Sequence, residues 1–487
     1  MKKVSIVTLF FVLTLAAWAQ ELTPVLGPLI QVNPTNVFGS TRPRIALAND
    51  TVPIVMWSQL GPPVGHMWVA RWNGTGFDGP VMIAPYMDIY TSNDEGGDIA
   101  AWGDTAYIVF FTTDSKCYCV HSYDAGMSWS DTVRIDHILT RKAYTPNVEI
   151  DRTGNPVILF ESSDSNILVN NAQMVCRSYD GGNSFTMEQP VNLNVTAEPC
   201  ECCPPELLIN DSMVYAIYRN NDNNVRNIVM TISSDSGMTF PVVSEVDQTN
   251  WTLSGCPTAG ADAGFYRDSV AMIWKSANKI WIGCGHAQTG MEGPYQLLEP
   301  SLAASVQQRH PVIETGGDTI VYLWDDRRNS NTDCYIAIRG NGVGPVTGAF
   351  ILNDTAGLAD IGTQQCPHAV MSGNKIYMVY DNSPQIDIMF RVATVGGPSG
   401  VADCEDQTGS VAVYPVPAGD AVNIRFSSVA QPVVCTILIH DVSGKLVETH
   451  TVVSPETEVD ISALAPGAYT LQVVGEDFNS VTKIIKE

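Results

Sequence analysis

At 487 residues, with 45 % apolar and 16 % charged side chains, the chain exceeds one ordinary core and is too apolar to be disordered. Its formal charge of -25 becomes about -27 without Lys2 and Lys3, and so acidic a surface repels phosphate backbones and anionic lipid, which excludes nucleic acid as a partner. The first element is a leader. Lys2 and Lys3, an apolar run from Val4 to Trp18, and Ala17-Trp18-Ala19 before Gln20 have the form of a secretory signal peptide over residues 1–19. The run is shorter than the ~20 residues of a spanning helix, and no later segment is suited to span. An exported chain that is not an integral membrane protein is therefore expected, in a compartment where disulfides are permitted.

Between Val52 and Tyr380 a short apolar stretch runs into an aromatic residue seven times, at Trp57, Phe111, Phe160, Tyr218, Trp274, Trp324 and Tyr380. Each repeat opens near a proline or glycine, at Pro43, Gly97, Pro146, Pro205, Pro257, Pro311 and Pro367. Four strands in about 40 to 55 residues is the pattern of a β-propeller blade. Fourth strands are entered at Gly79-Pro80, Trp129, Gln189-Pro190, Phe240-Pro241, Gly293-Pro294 and Gly344-Pro345, and the seventh repeat stops near Thr394 without one. Gly27-Pro28-Leu29-Ile30-Gln31-Val32 copies the missing pattern. The expectation is an all-β, seven-bladed propeller over residues 20–395, closed by its N-terminal segment so that no sheet edge is left open. A six-bladed ring is the competitor and requires one repeat to be an insertion.

Three turns share one sequence. They carry Ser122, Asp124, Gly126 and Trp129; Ser178, Asp180, Gly182 and Phe185; and Ser233, Asp235, Gly237 and Phe240. The carboxylate suits backbone N–H groups across a hairpin, the glycine a positive φ, and the aromatic packs back on the blade. These turns resemble the Asp box (BNR repeat) of sialidase-like propellers, which implies a structural role on the face away from the usual binding loops.

Loops entering the first strand and joining the second to the third share the other face. They carry Arg42, Arg44, Tyr144, Glu161, Arg219, Lys275, Arg309, His310, Asp325, Arg327, Arg328 and Asp381. Of these, Tyr144, Glu161, Arg219, Arg309, His310, Asp325, Arg327 and Arg328 offer hydrogen bonds and aromatic faces to an extracellular glycan. Cys200, Cys202 and Cys203 enter the fourth repeat, Cys256 the fifth and Cys366 the seventh, with His310 between them. Two readings stay open. One is a disulfide such as Cys202 or Cys203 to Cys256. The other is a zinc or copper site drawn from Cys200, Cys202, Cys203, Cys256, Cys366 and His310, although the fold requires no cofactor. Cys117, Cys119, Cys176, Cys284 and Cys334 on third strands read as small hydrophobes or inter-blade disulfides, and Cys404 and Cys435 fall outside the propeller. The stretch from Cys200 to Pro205, with Tyr218-Arg219, Val225-Arg226-Asn227 and Gly255-Cys256-Pro257, also resembles exported bacterial Asp-box proteins of sialidase-like type.

An active sialidase needs three arginines for the substrate carboxylate, a tyrosine nucleophile with a glutamate base, and an acid. Arg44-Ile45-Ala46 resembles the family's Arg-Ile-Pro, with Ala46 in place of proline. Arg219 and Arg328 can complete the arginine set, with Glu161 as base and Tyr380 as nucleophile. No residue stands out as the acid, and Tyr380 is one of seven equivalent strand-closing aromatics. Glycan binding is therefore the reading preferred over a glycoside hydrolase, with a structural or adhesive surface protein as the third class.

Residues 396–410 form a linker, with Gly396-Gly397-Pro398-Ser399-Gly400 followed by Asp403, Glu405 and Asp406. Seven short alternating strands over 411–487 predict a small Ig-like β-sandwich. Tyr414-Pro415-Val416-Pro417-Ala418, Ile439-His440-Asp441-Val442-Ser443-Gly444-Lys445, Val459 through Tyr469, and Lys483-Ile484-Ile485-Lys486 resemble the C-terminal (Por) sorting domain of the type IX secretion system, with Val416 where the family has Asn. The resemblance implies passage through the periplasm and outer membrane, the type IX machinery as partner, and a cell-surface or extracellular location.

Overall fold

The computed structural model describes residues 23–34, 39–61, 64–164, 169–291, 295–340, 346–353, 362–383, 387–395, 411–414, 417–426, 435–441, 445–452, 456–474 and 479–486. The expected leader, the linker, Gly293-Pro294, Gly344-Pro345, Cys404 and the side chain of Cys435 lie outside them. All described elements are strands, and no described helix is long and apolar enough to cross a membrane. The chain divides into two compact units, up to Gly396 and from Gly397.

The first unit holds seven antiparallel sheets of four or five strands. Their first strands are Ser40–Ala48, Asp98–Trp102, Lys142–Ile150, Glu206–Asn210, Ala261–Tyr266, Gln308–Gly316 and Thr363–Ser372. Each first strand lies against the next in chain order, and the seventh lies against the first. Burial explains the repeat. Trp57, Phe160, Tyr218, Trp274, Trp324 and Tyr380 are at most 1 % exposed, so the aromatic that closes each second strand is core. Apolar clusters sit between successive sheets: Met56 and Met67 face Ile108 and Phe110 between the first two, and Trp57 and Val55 face Val379 and Phe390 between first and last.

The seventh sheet is built from both ends of the unit. Asp387–Val395, its third strand, pairs with Pro24–Leu26 and Ile30–Gln31. This is the outer strand expected from residues 27–32.

The three Ser-x-Asp-x-Gly turns repeat one geometry. In the third, Asp235 Oδ1 accepts from Thr239 N at 2.8 Å and from Ser233 Oγ at 2.7 Å, and Asp235 Oδ2 from Thr239 Oγ1 at 2.6 Å. Gly237 takes φ of 84° and donates to Ser233 Oγ at 2.9 Å. Asp124 and Asp180 make the matching bonds to Ser128 and Ser184. Replacing Asp235 with alanine is expected to lower stability by about 1 kcal/mol, the net value of such bonds, with less loss in Asp235→Asn; urea unfolding checks both.

The five third-strand cysteines are all thiols rather than cross-links. Cys117, Cys119 and Cys176 fill the core between the second and third sheets, and Cys334 that between the sixth and seventh. Of the two expectations for them, packing holds and inter-blade disulfides do not form.

The second unit has a three-stranded and a four-stranded antiparallel sheet. Val422, Ile424, Val459 and Ile461 from one meet Ile437, Ile439, Leu471, Val473 and Ile484 from the other in a single core. Alternation along each strand places these residues on one face.

Candidate functional site

A cavity of about 580 Å³ is enclosed by the first strands of the seven sheets. Each contributes at least one polar or charged side chain to its wall, among them Arg44, Asp98, Asn147, Glu206, Asp262, Glu314 and His368. Most of them tie one sheet to the next. Val148 N donates to Asp98 Oδ2 at 3.1 Å, Leu207 N to Asn147 Oδ1 at 2.9 Å, Ile313 N to Asp262 Oδ2 at 2.9 Å, and Met371 N to Glu314 Oε2 at 3.3 Å. Ile45 N donates to His368 Nδ1 at 3.3 Å, which requires that nitrogen to be unprotonated. Burial, with Arg44 and Arg42 nearby, holds the His368 imidazole well below its ordinary value and so neutral. Burial also pushes Glu149 up to about 8 and Asp262 up to about 7.

The rim has a different chemistry. Arg42, Thr258, His310 and Cys366 line the cavity with φ of 49°, 44°, 46° and 54°, in the left-handed region that non-glycine residues rarely adopt. Arg42, His310 and Cys366 each precede a proline at a bulge, where pairing shifts between Thr41 and Arg44, Arg309 and Val312, and Gln365 and His368. An extra residue at the start of the strand turns the preceding side chain over the cavity.

His310 is the hub of this rim. Its Nδ1 meets Asp325 Oδ2, and its Nε2 meets Asp94 Oδ1 at 3.0 Å. Burial opposes protonation, but Asp325, Cys366 and Asp94 outweigh it and hold His310 charged well above the usual histidine range. In turn burial alone would raise Asp94, whereas His310 and Arg309 bring it down to about 2. Cys366 Sγ lies 3.9 and 3.8 Å from the two ring nitrogens, both of which already face carboxylates, and burial pushes the thiol up to about 11. That arrangement does not make an activated nucleophile. Arg42 donates to Asp94 O at 2.9 Å, and Arg309 Nη2 to Asp94 Oδ1 at 3.2 Å. Lys275 completes the positive side of the rim, its ammonium lowered by burial and by Arg309 and Arg219.

Of the residues expected to bind ligand, Arg309 and His310 line the cavity, and Asp325 stands behind His310 with no exposure. The others are placed elsewhere. Arg219 is fully buried and donates to the carbonyls of Ala259, Arg226 and Lys275 at 2.9, 2.5 and 2.6 Å, so its guanidinium already serves the protein's own backbone. Arg328 is held by Asp326 and Glu299 over the Tyr335 ring, and Arg327 donates to Thr332. Tyr144 is 7 % exposed and Glu161 is enclosed, its carboxyl pushed well up by burial, with Cys200 and Glu95 adding to the shift. Tyr380 lies in the apolar core between the sixth and seventh sheets. Arg44 alone of the proposed sialidase set reaches the cavity; Arg219, Arg328, Glu161 and Tyr380 do not join it.

Asp94, with Thr41 and Asn93 beside it, is the rim residue the sequence reading passed over. Its segment, Ser92-Asn93-Asp94-Glu95-Gly96-Gly97, is the one strand opening with Gly-Gly where its neighbours carry proline, a signal of close backbone approach. A Cβ on Gly96 would lie 2.8 Å from Arg42 Cδ.

The cysteine group lies apart from His310. Cys202 and Cys256 form a disulfide, so Cys203 is not its partner. The sulfurs of Cys200, Cys202, Cys203 and Cys256 nonetheless all lie within 4.8 Å of one another. Cys200 and Cys203 are buried thiols 3.3 Å apart, and Cys200 Sγ is 4.0 Å from Cys256 Sγ. Arg226 Nη1 donates to Cys200 Sγ at 3.1 Å, the Ala259 N–H faces Cys203, and the charge of Arg219 favours the Cys203 thiolate. Cys366 and His310 form a separate contact, and the expectation of one six-residue metal set divides accordingly.

Residues 412–487 match the family of secretion system C-terminal sorting domains. The chain carries that domain. Its presence implies export across the outer membrane to the cell surface or the extracellular space. None of the curated proteins matches the chain in sequence. Among solved structures, the polysaccharide lyase Uly1 is 8 % identical with a TM-score of 0.50, over 76 % of this chain and 99 % of that one. A protein of unknown function from Dyadobacter fermentans is 12 % identical with a TM-score of 0.49, over 77 % and 100 %. An alpha-L-arabinanase from Penicillium chrysogenum, complexed with arabinobiose, is 13 % identical with a TM-score of 0.45, over 66 % and 99 %. Such likeness concerns the fold, and with 440 matching chains it selects no activity.

Proposed function

We propose that this chain is an exported seven-bladed β-propeller of the Asp-box type that binds an extracellular glycan over its central cavity and is delivered by the type IX secretion machinery. The observation that carries the binding reading is the rim of non-glycine residues in left-handed conformation. Arg42, Thr258, His310 and Cys366 come from the entries of four different sheets and line one cavity. Each such conformation costs about 1–3 kcal/mol and persists where the surroundings impose it, typically at ligand sites. The rim is rich in donors and acceptors held rigid by one another, which suits the hydroxyl pattern of a saccharide. Seven sheets with a continuous cycle of first strands support the seven-bladed ring over the six-bladed one.

The test is a glycan array with the full mature chain, followed by calorimetry on the best ligand. Arg309→Ala is expected to weaken binding about tenfold or more, because it removes a rim cation and one of the partners that hold Asp94. A correctly folded protein that binds no glycan would favour a structural or adhesive role, and hydrolysis of a fluorogenic sialoside would favour an enzyme.

A further inference from the structure

We propose that Cys200, Cys202, Cys203 and Cys256, when all four are reduced, bind one zinc ion, and that the Cys202–Cys256 disulfide is the oxidised, metal-free state of the same four sulfurs. The carrying observation is their convergence. A cross-link needs only two cysteines, yet four sulfurs from the loops of two adjacent sheets lie within 4.8 Å of one another. Tetrahedral zinc with Zn–S bonds of about 2.3 Å places its sulfurs about 3.8 Å apart. The Cys200 contacts of 3.3 Å to Cys203 and 4.0 Å to Cys256 bracket that spacing.

Charge agrees with the geometry. Zinc displaces four thiol protons and leaves a tetrathiolate of net charge minus two, a costly ion to bury without compensation. One buried arginine stands against the sulfurs, Arg226 at 3.1 Å from Cys200, the Ala259 N–H points at Cys203, and the buried Arg219 adds positive charge to the surroundings while its own donors serve backbone carbonyls. Donors to ligand sulfur of this kind are what an outer shell supplies.

The oxidative step balances. Cys202 and Cys256 thiolates each give up one electron as their S–S bond forms. The oxidant, a small-molecule or protein disulfide, accepts both electrons and departs as two thiolates. Zinc leaves as the divalent ion, and Cys200 and Cys203 take up protons.

The experiment uses the full mature chain, reduced anaerobically and titrated with cobalt(II) as a spectroscopic probe and then with zinc. Expected are one cobalt per chain, thiolate-to-cobalt charge-transfer absorption with tetrahedral visible bands, and displacement by zinc. Cys200→Ser and Cys203→Ser keep the Cys202–Cys256 disulfide, so their folding is checked in the oxidised form before reduction; both should lose the tetrathiolate spectrum. Cys284→Ser should keep it. Oxidised glutathione added to the zinc form should release zinc with loss of two thiols per ion. No cobalt–thiolate absorption in folded, reduced protein, an unchanged spectrum in Cys200→Ser or Cys203→Ser, or zinc release without thiol loss would overturn the proposal.

Discussion

Deleting residues 24–31 is expected to lower stability by about 3 kcal/mol or more and to make the protein aggregate. Leu26, Leu29 and Ile30 pack against the apolar cores beside the seventh sheet, and losing three partly buried aliphatic side chains accounts for about that much. The backbone adds to it. Gly27 N donates to Val392 O at 2.8 Å, and Arg391 Nε to Gly27 O at 2.7 Å. Without the outer strand, Asp387–Val395 becomes an open edge ready to pair with another chain. Urea midpoints and light scattering of the deletion variant check the result. A variant as stable and monodisperse as the parent would mean that the N-terminal strand contributes nothing to the seventh sheet.

Stability is expected to fall as pH rises from about 5 to about 8, the reverse of ordinary acid denaturation. Glu149 is pushed up to about 8 and Asp262 and Asp381 up to about 7, in each case by burial first. The unfolded chain releases these protons near pH 4 while the folded chain still holds them. Their contribution is complete below the unfolded value and is lost as pH climbs through the folded one, by at most about 1.4 kcal/mol per carboxyl per pH unit. His310 acts in the same direction, since its folded value is raised above the unfolded one. Asp94, held at about 2, and His368, held well below its ordinary value, act oppositely: the contribution of Asp94 disappears only as pH falls below about 4, and His368 works against the decline only below about pH 6.5. Urea midpoints across this range should decline towards alkali, and Glu149→Gln should flatten the slope. A midpoint that rises from pH 5 to pH 8 would contradict the assignment of buried, protonated acids.

The repeat was legible because burial repeats. Every second strand must end in a residue that fills the gap between sheets, and Trp57, Trp324 and Tyr380 announce that demand in the sequence. The closing strand was legible for a related reason, since residues 27–32 repeat an outer-strand pattern at a place where one sheet lacks it. Rim residues were harder to read. Arg309, at the start of a first strand, lines the cavity, whereas Arg219, just past the closing aromatic of a second strand, turns inward to three carbonyls, a choice made by neighbouring loops. Asp94 drew no notice because its partners His310 and Arg309 are more than two hundred residues away. The polar wall of the cavity was hidden too: Asp98, Asn147 and Asp262 sit in short apolar strands, and only the assembled unit shows that they accept N–H groups from the next sheet.

Building one sheet from residues 24–31 and 363–395 also bears on when this protein can fold. The N-terminal strand finds its partner only after some 360 intervening residues have been made, as in the Arg391–Gly27 bond between positions 364 apart. Contacts of such range form late and slowly. Until residue 395 has been made, the seventh sheet therefore cannot be complete. The other six sheets, each built from consecutive strands, carry no such delay.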